Sequence, residues 1–140
     1  LFEAALDKDG IAYKEYAIAD TNEVQSVTTA AAGECDVLYI PTDNTLASVT
    51  ETVYNVVAPA KIPVIAGEEG ICNGCGVATL SISYYDLGYA TGEMAYEILA
   101  EGADITTMDV RYAPNVTKKY NAKICEELGI TVPDDYVAIQ

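Results

Sequence analysis

Apolar residues recur along this chain in two rhythms: short, nearly unbroken runs, and longer stretches at helical spacing. Leu1–Leu6 (Leu-Phe-Glu-Ala-Ala-Leu) reads as the tail of a helix, with Gly10 where that helix stops. Ile11–Ile18 alternates as a strand does, and Lys14 and Glu15 suit a position near a sheet edge. Asp20 or Thr21 then caps a helix carrying Val24, Val27, Ala30 and Ala31, ended by Gly33. Asp36–Ile40 is a short, nearly all-apolar run, expected of a strand covered on both sides, and Pro41–Asn44 is its turn. Leu46, Val49, Val53, Val56 and Val57 mark one helix over Thr45–Val57, stopped by Pro59.

The second half repeats the alternation. Ile62–Ala66 is a buried strand, Gly67–Gly70 its exit loop, and a Gly- and Cys-containing loop runs on to Gly76. Val77–Ile82 is a further strand. A helix over Tyr84–Ala100 carries Leu87, Ala90, Met94 and Ile98, with Gly88 and Gly92 one turn apart, where another backbone could approach. Met108–Tyr112 is expected to be a strand. Thr117–Leu128 is expected to be the last helix, with Tyr120, Ile124 and Leu128 four apart and Gly129 after it. Ile130–Tyr136 is an extended tail. Strand–helix alternation with short apolar strands predicts a doubly wound, mostly parallel α/β sheet in one domain over residues 1–140.

Composition narrows the function classes. Seven basic against 22 acidic residues give a net charge of −15, which leaves no footprint for nucleic-acid phosphates or anionic lipid. With no histidine there is no Ser-His-Asp triad, Cys-His pair or imidazole zinc site, and no cofactor or metal is expected. No apolar run reaches the roughly 18–20 residues needed to span a bilayer. The helical start without a cap predicts a piece of a longer protein whose targeting segment lies elsewhere. A short helical N-terminus is the plainer alternative.

In open parallel sheets, ligands bind outside the carboxyl ends of the strands. That rule selects Pro41–Asn44, Gly67–Gly70 and Ser83–Tyr85, which offer a hydroxyl, carboxylates, an amide and aromatic faces. The set suits a small polar ligand with an ammonium and an aromatic or apolar body. Each residue also has a plainer role. Asp43 and Asn44 can cap the next helix, Ser83 can cap the one after, Glu68 and Glu69 can be a solvated loop, and Tyr84 and Tyr85 can pack. Cys72-Asn-Gly-Cys75 has CxxC spacing, but no helix N-terminus follows to lower a thiol pKa, and no second CxxC completes a zinc ribbon. A local disulfide or two inert thiols is the expectation there, with Cys35 and Cys125 in the core. Gly74-Cys-Gly76 lacks the third glycine and the helix of a nucleotide loop.

Three stretches carry a resemblance: Asp36–Ser48, Ile62–Gly70 and Ser83–Ala95, with the ending Leu128-Gly-Ile-Thr-Val-Pro-Asp-Asp135. Together they resemble the substrate-binding proteins of a bacterial ABC importer family associated with tryptophan and tyrosine uptake. The resemblance runs through the whole chain in order. It implies the type I periplasmic-binding fold, two lobes closing on a ligand about a hinge, of which this chain is the C-terminal lobe. It also implies ligand contacts at Thr42, Asp43, Asn44, Glu68 and Glu69 and a hinge at Ser83 and Tyr84, with no catalytic residue and no enzyme activity. Ser83 stands where the resemblance implies an aspartate, a partner for a ligand ammonium.

Residues 84–102 then belong to the hinge or pack on the other lobe. In this chain they fold back, swap into a neighbour, or pair two copies as a homodimer through Tyr84–Gly102. The implied partners are a small amino-acid-like molecule and, for the whole protein, ABC permease subunits outside the cytoplasm, with a periplasmic or membrane-anchored location. An isolated lobe offers half a site and is expected to bind weakly. Two other classes share these features: a sensory ligand-binding domain of a receptor or regulator, and a small α/β enzyme using Glu68 or Glu69 as a base.

Overall fold

The structure, a computed structural model, describes residues 2–140; Leu1, the first residue of the expected helical tail, lies outside them. Among the described residues five strands make one sheet: β1 (Leu38–Ile40), β2 (Val64–Ala66), β3 (Ala78–Ile82), β4 (Val116–Tyr120) and β5 (Val137–Ala138), side by side in that order. The pairs β1–β2, β2–β3 and β4–β5 are parallel and β3–β4 is antiparallel. Among the described residues seven helices connect or flank them: α1 (Phe2–Asp9), α2 (Val24–Glu34), α3 (Asn44–Ala47), α4 (Thr50–Ala60), α5 (Glu69–Cys75), α6 (Tyr84–Leu99) and α7 (Ala122–Leu128).

The core lies against one sheet face. Ile40, Val64 and Ala66 pack there with Val24 of α2, Val53 and Val57 of α4, and Ile71, Cys72 and Cys75 of α5. A smaller cluster joins Val77 to Ile124 and Cys125 of α7. Side chains alternate across a strand, so the residues between these point the other way. Tyr39, Ile65, Leu80 and Val116 on that second face are exposed, and Phe2 stacks on Tyr39 with ring centroids 4.1 Å apart. The apolar runs read as strands covered on both sides; here the buried core lies on one face, and on the other α1 sets Phe2 against Tyr39.

Several boundaries differ from the sequence reading. Residues 11–18 form no strand; Lys14 and the Tyr16 hydroxyl instead bind Glu34 at the end of α2, so side chains anchor this segment. Asp20 makes an Asx turn, its Oδ1 accepting from Asn22 N at 2.8 Å, and α2 begins after Glu23. The expected helix over 45–57 breaks at Ser48–Val49 into α3 and α4, and Pro59 sits inside the last turn of α4. Pro59 has no amide to give the preceding turn, and α4 ends one residue later at Ala60, with Lys61 capping it at φ +56°.

The Gly- and Cys-rich segment is helix α5, not a loop. Gly74 serves close packing, since a Cβ there would overlap the Thr50 side chain of α4. Cys125 is buried as expected, whereas Cys35 is half-buried beyond the end of α2 and all four cysteines are free. Residues 117–120 form strand β4 rather than the start of the last helix. Asn121 caps α7, its Oδ1 accepting from Ile124 N at 3.2 Å. The expected strand 108–112 is an irregular segment returning beside α6, tied by Arg111–Glu97 at 2.5 Å and Asn115–Asp86 at 3.4 Å. Helix α6 has no buried residue; Tyr84, Tyr85, Tyr89, Tyr96 and Leu99 are exposed. Among the described residues no backbone approaches Gly88 or Gly92.

Candidate functional site

Because β1, β2 and β3 run parallel, their carboxyl ends emerge on one edge of the sheet, and each leads into a helix. A helix leaves its first amides without internal partners, and a polar side chain at the cap supplies one. All three junctions use this device. Asp43 Oδ1 accepts from Leu46 N at 2.8 Å at the start of α3. Glu68 spans the start of α5, Oε2 accepting from Gly70 N at 2.7 Å and Oε1 from Ile71 N. Ser83 Oγ accepts from Asp86 N at 3.1 Å at the start of α6. The two carboxylates also sit at the positive ends of the helix dipoles, next to the amides that they cap.

The first two junctions are joined. Gly67 N donates to Ile40 O at 2.7 Å, and Thr42 Oγ1 donates to Gly67 O at 3.2 Å. A Cβ at Gly67 would stand 2.6 Å from Thr42 N, so only glycine lets the two loops meet. Thr42, Asp43 and Asn44 therefore lie beside Glu68 and Glu69, with the Asn44 side chain exposed. Ser83 and Tyr84 lie farther along the chain, past Ser81 of β3, whose hydroxyl reaches Glu69. Thr79 is level with Ala66, the last residue of β2, and β3 continues three residues further to Ile82. At about 3.3 Å per residue, that extension puts Ile82 about 10 Å beyond the end of β2, and Ser83 and Tyr84 follow it. Tyr84 and Tyr85 are exposed, so neither packs within this chain.

Glu69 differs from its neighbour. Its Oε2 accepts from Lys119 Nζ of β4 at 2.6 Å and from Ser81 Oγ of β3 at 3.4 Å. Lys119 and Ser81 escaped the sequence reading, which put Lys119 on a helix; the Asn121 cap two residues later was the signal that a strand precedes α7. Below Ser81, the buried Thr79 Oγ1 has no hydrogen-bond partner among the described residues.

The thiols have no activated member. Cys72 lies at the middle of α5 and Cys75 is its last residue, so neither is at the helix start, where the dipole would favour a thiolate. Burial first, then the neighbouring Cys125 and Cys75 thiols and the Glu68 and Glu69 carboxylates, push the Cys72 thiol up to about 12. Burial pushes Cys75 up to about 12 as well, and raises Cys125. Among the described residues no three His, Cys, Asp or Glu side chains are grouped to hold a metal. An internal cavity of about 60 Å³ between α4 and α7, and an open cleft of about 360 Å³ beside the C-terminal half of α6, both lie away from the strand ends.

The rim thus presents carboxylates, a hydroxyl, an amide and helix N-termini on one open edge, a surface that can meet both poles of a zwitterion.

Comparison with known proteins points the same way. Residues 1–139 match the protein family described as ABC transporter substrate binding protein. Over 100 residues, 68% of this chain, the sequence is 40% identical to the tyrosine-binding protein of Clostridioides difficile strain R20291. The match spans 29% of that relative. The ligand-free, open structure of a substrate-binding protein with adhesive properties from Clostridium difficile superposes with a TM-score of 0.74 at 35% identity, covering 99% of this chain and 48% of that one. An ABC domain from Streptococcus pneumonia in complex with L-Trp gives 0.84 at 33%, covering 95% and 45%. A conserved domain protein of Vibrio cholerae gives 0.86 at 30%, covering 99% and 48%.

Proposed function

From the premise that this chain belongs to the ABC transporter substrate-binding protein family, we propose that it is the C-terminal lobe of a two-lobe binding protein. That protein takes up an amino acid, aromatic in side chain, between its lobes. Family membership implies a binding role outside the cytoplasm, with a permease as partner. The finer reading is that this lobe performs no catalysis and that the whole protein carries a leader and is anchored or periplasmic. Thr42, Asp43, Asn44, Glu68 and Glu69 form this lobe's half of the site, and Ser83 and Tyr84 the hinge side.

The observation that carries this reading is the geometry of the strand ends: three neighbouring strands deliver three capped helix N-termini to one open edge. The ammonium of the ligand meets the Asp43 carboxylate, its carboxylate faces the start of α6, where the cap is the uncharged Ser83, and its ring reaches toward Tyr84. The similarity to a tyrosine-binding protein and to a domain in complex with L-Trp supports the aromatic amino acid. Ligand held by both lobes favours the closed form over the open one, and the permease reads the closed form. Residues 84–102 serve as hinge and pack on the other lobe; pairing of two copies through that segment is the rival arrangement, which sedimentation of the isolated chain distinguishes.

The test is calorimetry of the whole protein with L-tyrosine, L-tryptophan, L-lysine and glucose. Micromolar binding of an aromatic amino acid is the expected result, and binding of none of the amino acids overturns the reading. The 140-residue chain alone is expected to bind at least a hundredfold more weakly, by about 3 kcal/mol. Micromolar affinity in the isolated chain would contradict the half-site.

A further inference from the structure

Three carboxylates crowd the rim at Asp43, Glu68 and Glu69, in a chain with only seven basic residues. Two of the three are occupied by backbone amides at helix starts. The third, Glu69, is neutralised from behind. Lys119 reaches it from β4, fifty residues away in sequence, and Lys119 is the least exposed cation among the ion pairs of the described residues. Ser81 holds the same oxygen, Oε2, while Oε1 has no protein donor among the described residues. This half-buried pair is screened less than a fully exposed one, so its charge balance is felt at the rim.

We propose that Lys119 is a positioning and specificity-determining residue of the ligand site: by drawing Oε2 of Glu69 back against the sheet and cancelling its charge, it sets the preference for a zwitterionic ligand over a cationic one. The inference rests on the ligand-site reading above and adds a residue to it. Removing the lysine charge leaves Glu69 as an uncompensated anion beside the site, which favours a ligand of net charge +1. Removing the glutamate charge leaves Lys119 uncompensated, which favours the ligand carboxylate and disfavours the cation. A tie that only holds β4 to α5 would weaken all ligands alike in either variant.

The experiment measures the affinities of L-tyrosine and L-tyrosinamide for the whole protein by calorimetry, at about pH 6, where the amide's α-amine is protonated. The readout is the ratio of amide to free-acid affinity. Relative to the unmodified protein, Lys119→Met should raise this ratio about fivefold and Glu69→Gln should lower it about fivefold. Lys119→Arg should leave it within about twofold, and the Lys119→Met/Glu69→Gln double variant should return it to within about twofold of the unmodified protein. Thermal melts accompany each variant, and Lys119→Gln replaces Lys119→Met if the latter fails to fold. Equal weakening of both ligands in both single variants, an unchanged ratio, or shifts of the same sign would overturn the proposal while leaving the ligand-site reading standing. If the unmodified protein binds neither probe, the ligand-site reading falls and this inference falls with it.

Discussion

The two faces of one short sheet differ more than the sequences of their strands suggest. In β2 the central Ile65 is as apolar as its neighbours, yet Val64 and Ala66 are buried while Ile65 is exposed. The same alternation sets Ile40 against Tyr39, and Thr79 and Ser81 against Leu80. Apolar character therefore marks residues able to pack, and helices α2, α4 and α5 decide which of them do. A strand's own pattern cannot report whether its second face has a cover, because the cover lies elsewhere in sequence.

The largest contrast between the faces is energetic. Ile71→Ala, in the packed core, should cost about 3–4 kcal/mol in urea unfolding, the transfer of the lost groups plus a cavity. Leu80→Ala on the open face should cost less than about 0.5 kcal/mol. Comparable losses at both sites would mean that the second face is packed in solution.

Glycines extend the contrast to the helices. Gly74→Ala drives a methyl into Thr50 between α4 and α5 and should cost about 2 kcal/mol, partly recovered by Thr50→Ala. Gly88→Ala on unpacked α6 meets open space and should stabilise by about 0.5–1 kcal/mol through helix propensity. Destabilisation by Gly88→Ala would show instead that another backbone approaches α6.

The buried thiols give the packed side a signature in pH. The folded protein keeps the protons of Cys72 and Cys75 up to about 12, whereas the unfolded chain releases them from an ordinary value near 9. The folded state thus binds more protons in that window, and their contribution, complete below pH 9, is lost as pH rises toward 12. Each thiol adds a slope of about 1.4 kcal/mol per pH unit there. A Cys72→Ala/Cys75→Ala variant should show a shallower alkaline decline in unfolding free energy, and native-state thiol titration at neutral pH should modify Cys35 well before either. Rapid modification of Cys72 or Cys75 would contradict their burial. The smallest effect concerns Thr79. Replacing it with valine removes a buried hydroxyl without a protein partner and should leave stability unchanged or raise it by up to about 1 kcal/mol, read from the urea midpoint.

Much of the rim was legible in sequence because parallel α/β order places loops after strands on one edge, and Pro41–Asn44, Gly67–Gly70 and Ser83–Tyr85 all lie there. Asp43 and Ser83 also make the caps that their residue types favour. Glu68 does so against the usual preference for shorter side chains, which is why its loop did not read as a helix start and α5 went unseen. Strand β4 was obscured by the four-residue spacing of Tyr120, Ile124 and Leu128, which continues a helical pattern backward through residues that pair with β3. The Glu69–Lys119 tie could not be read at all. It depends on β4 lying antiparallel beside β3, a pairing that neither segment specifies alone.

The most direct test of the central claim, that solute is bound at the carboxyl ends of β1, β2 and β3, is hydrogen-exchange mass spectrometry of the whole protein with and without saturating L-tyrosine. Ligand should slow exchange in the segments spanning residues 40–46, 66–71 and 82–86, and leave α7 unchanged. Protection confined to α4 and α7, with no change at those three strand ends, would contradict it.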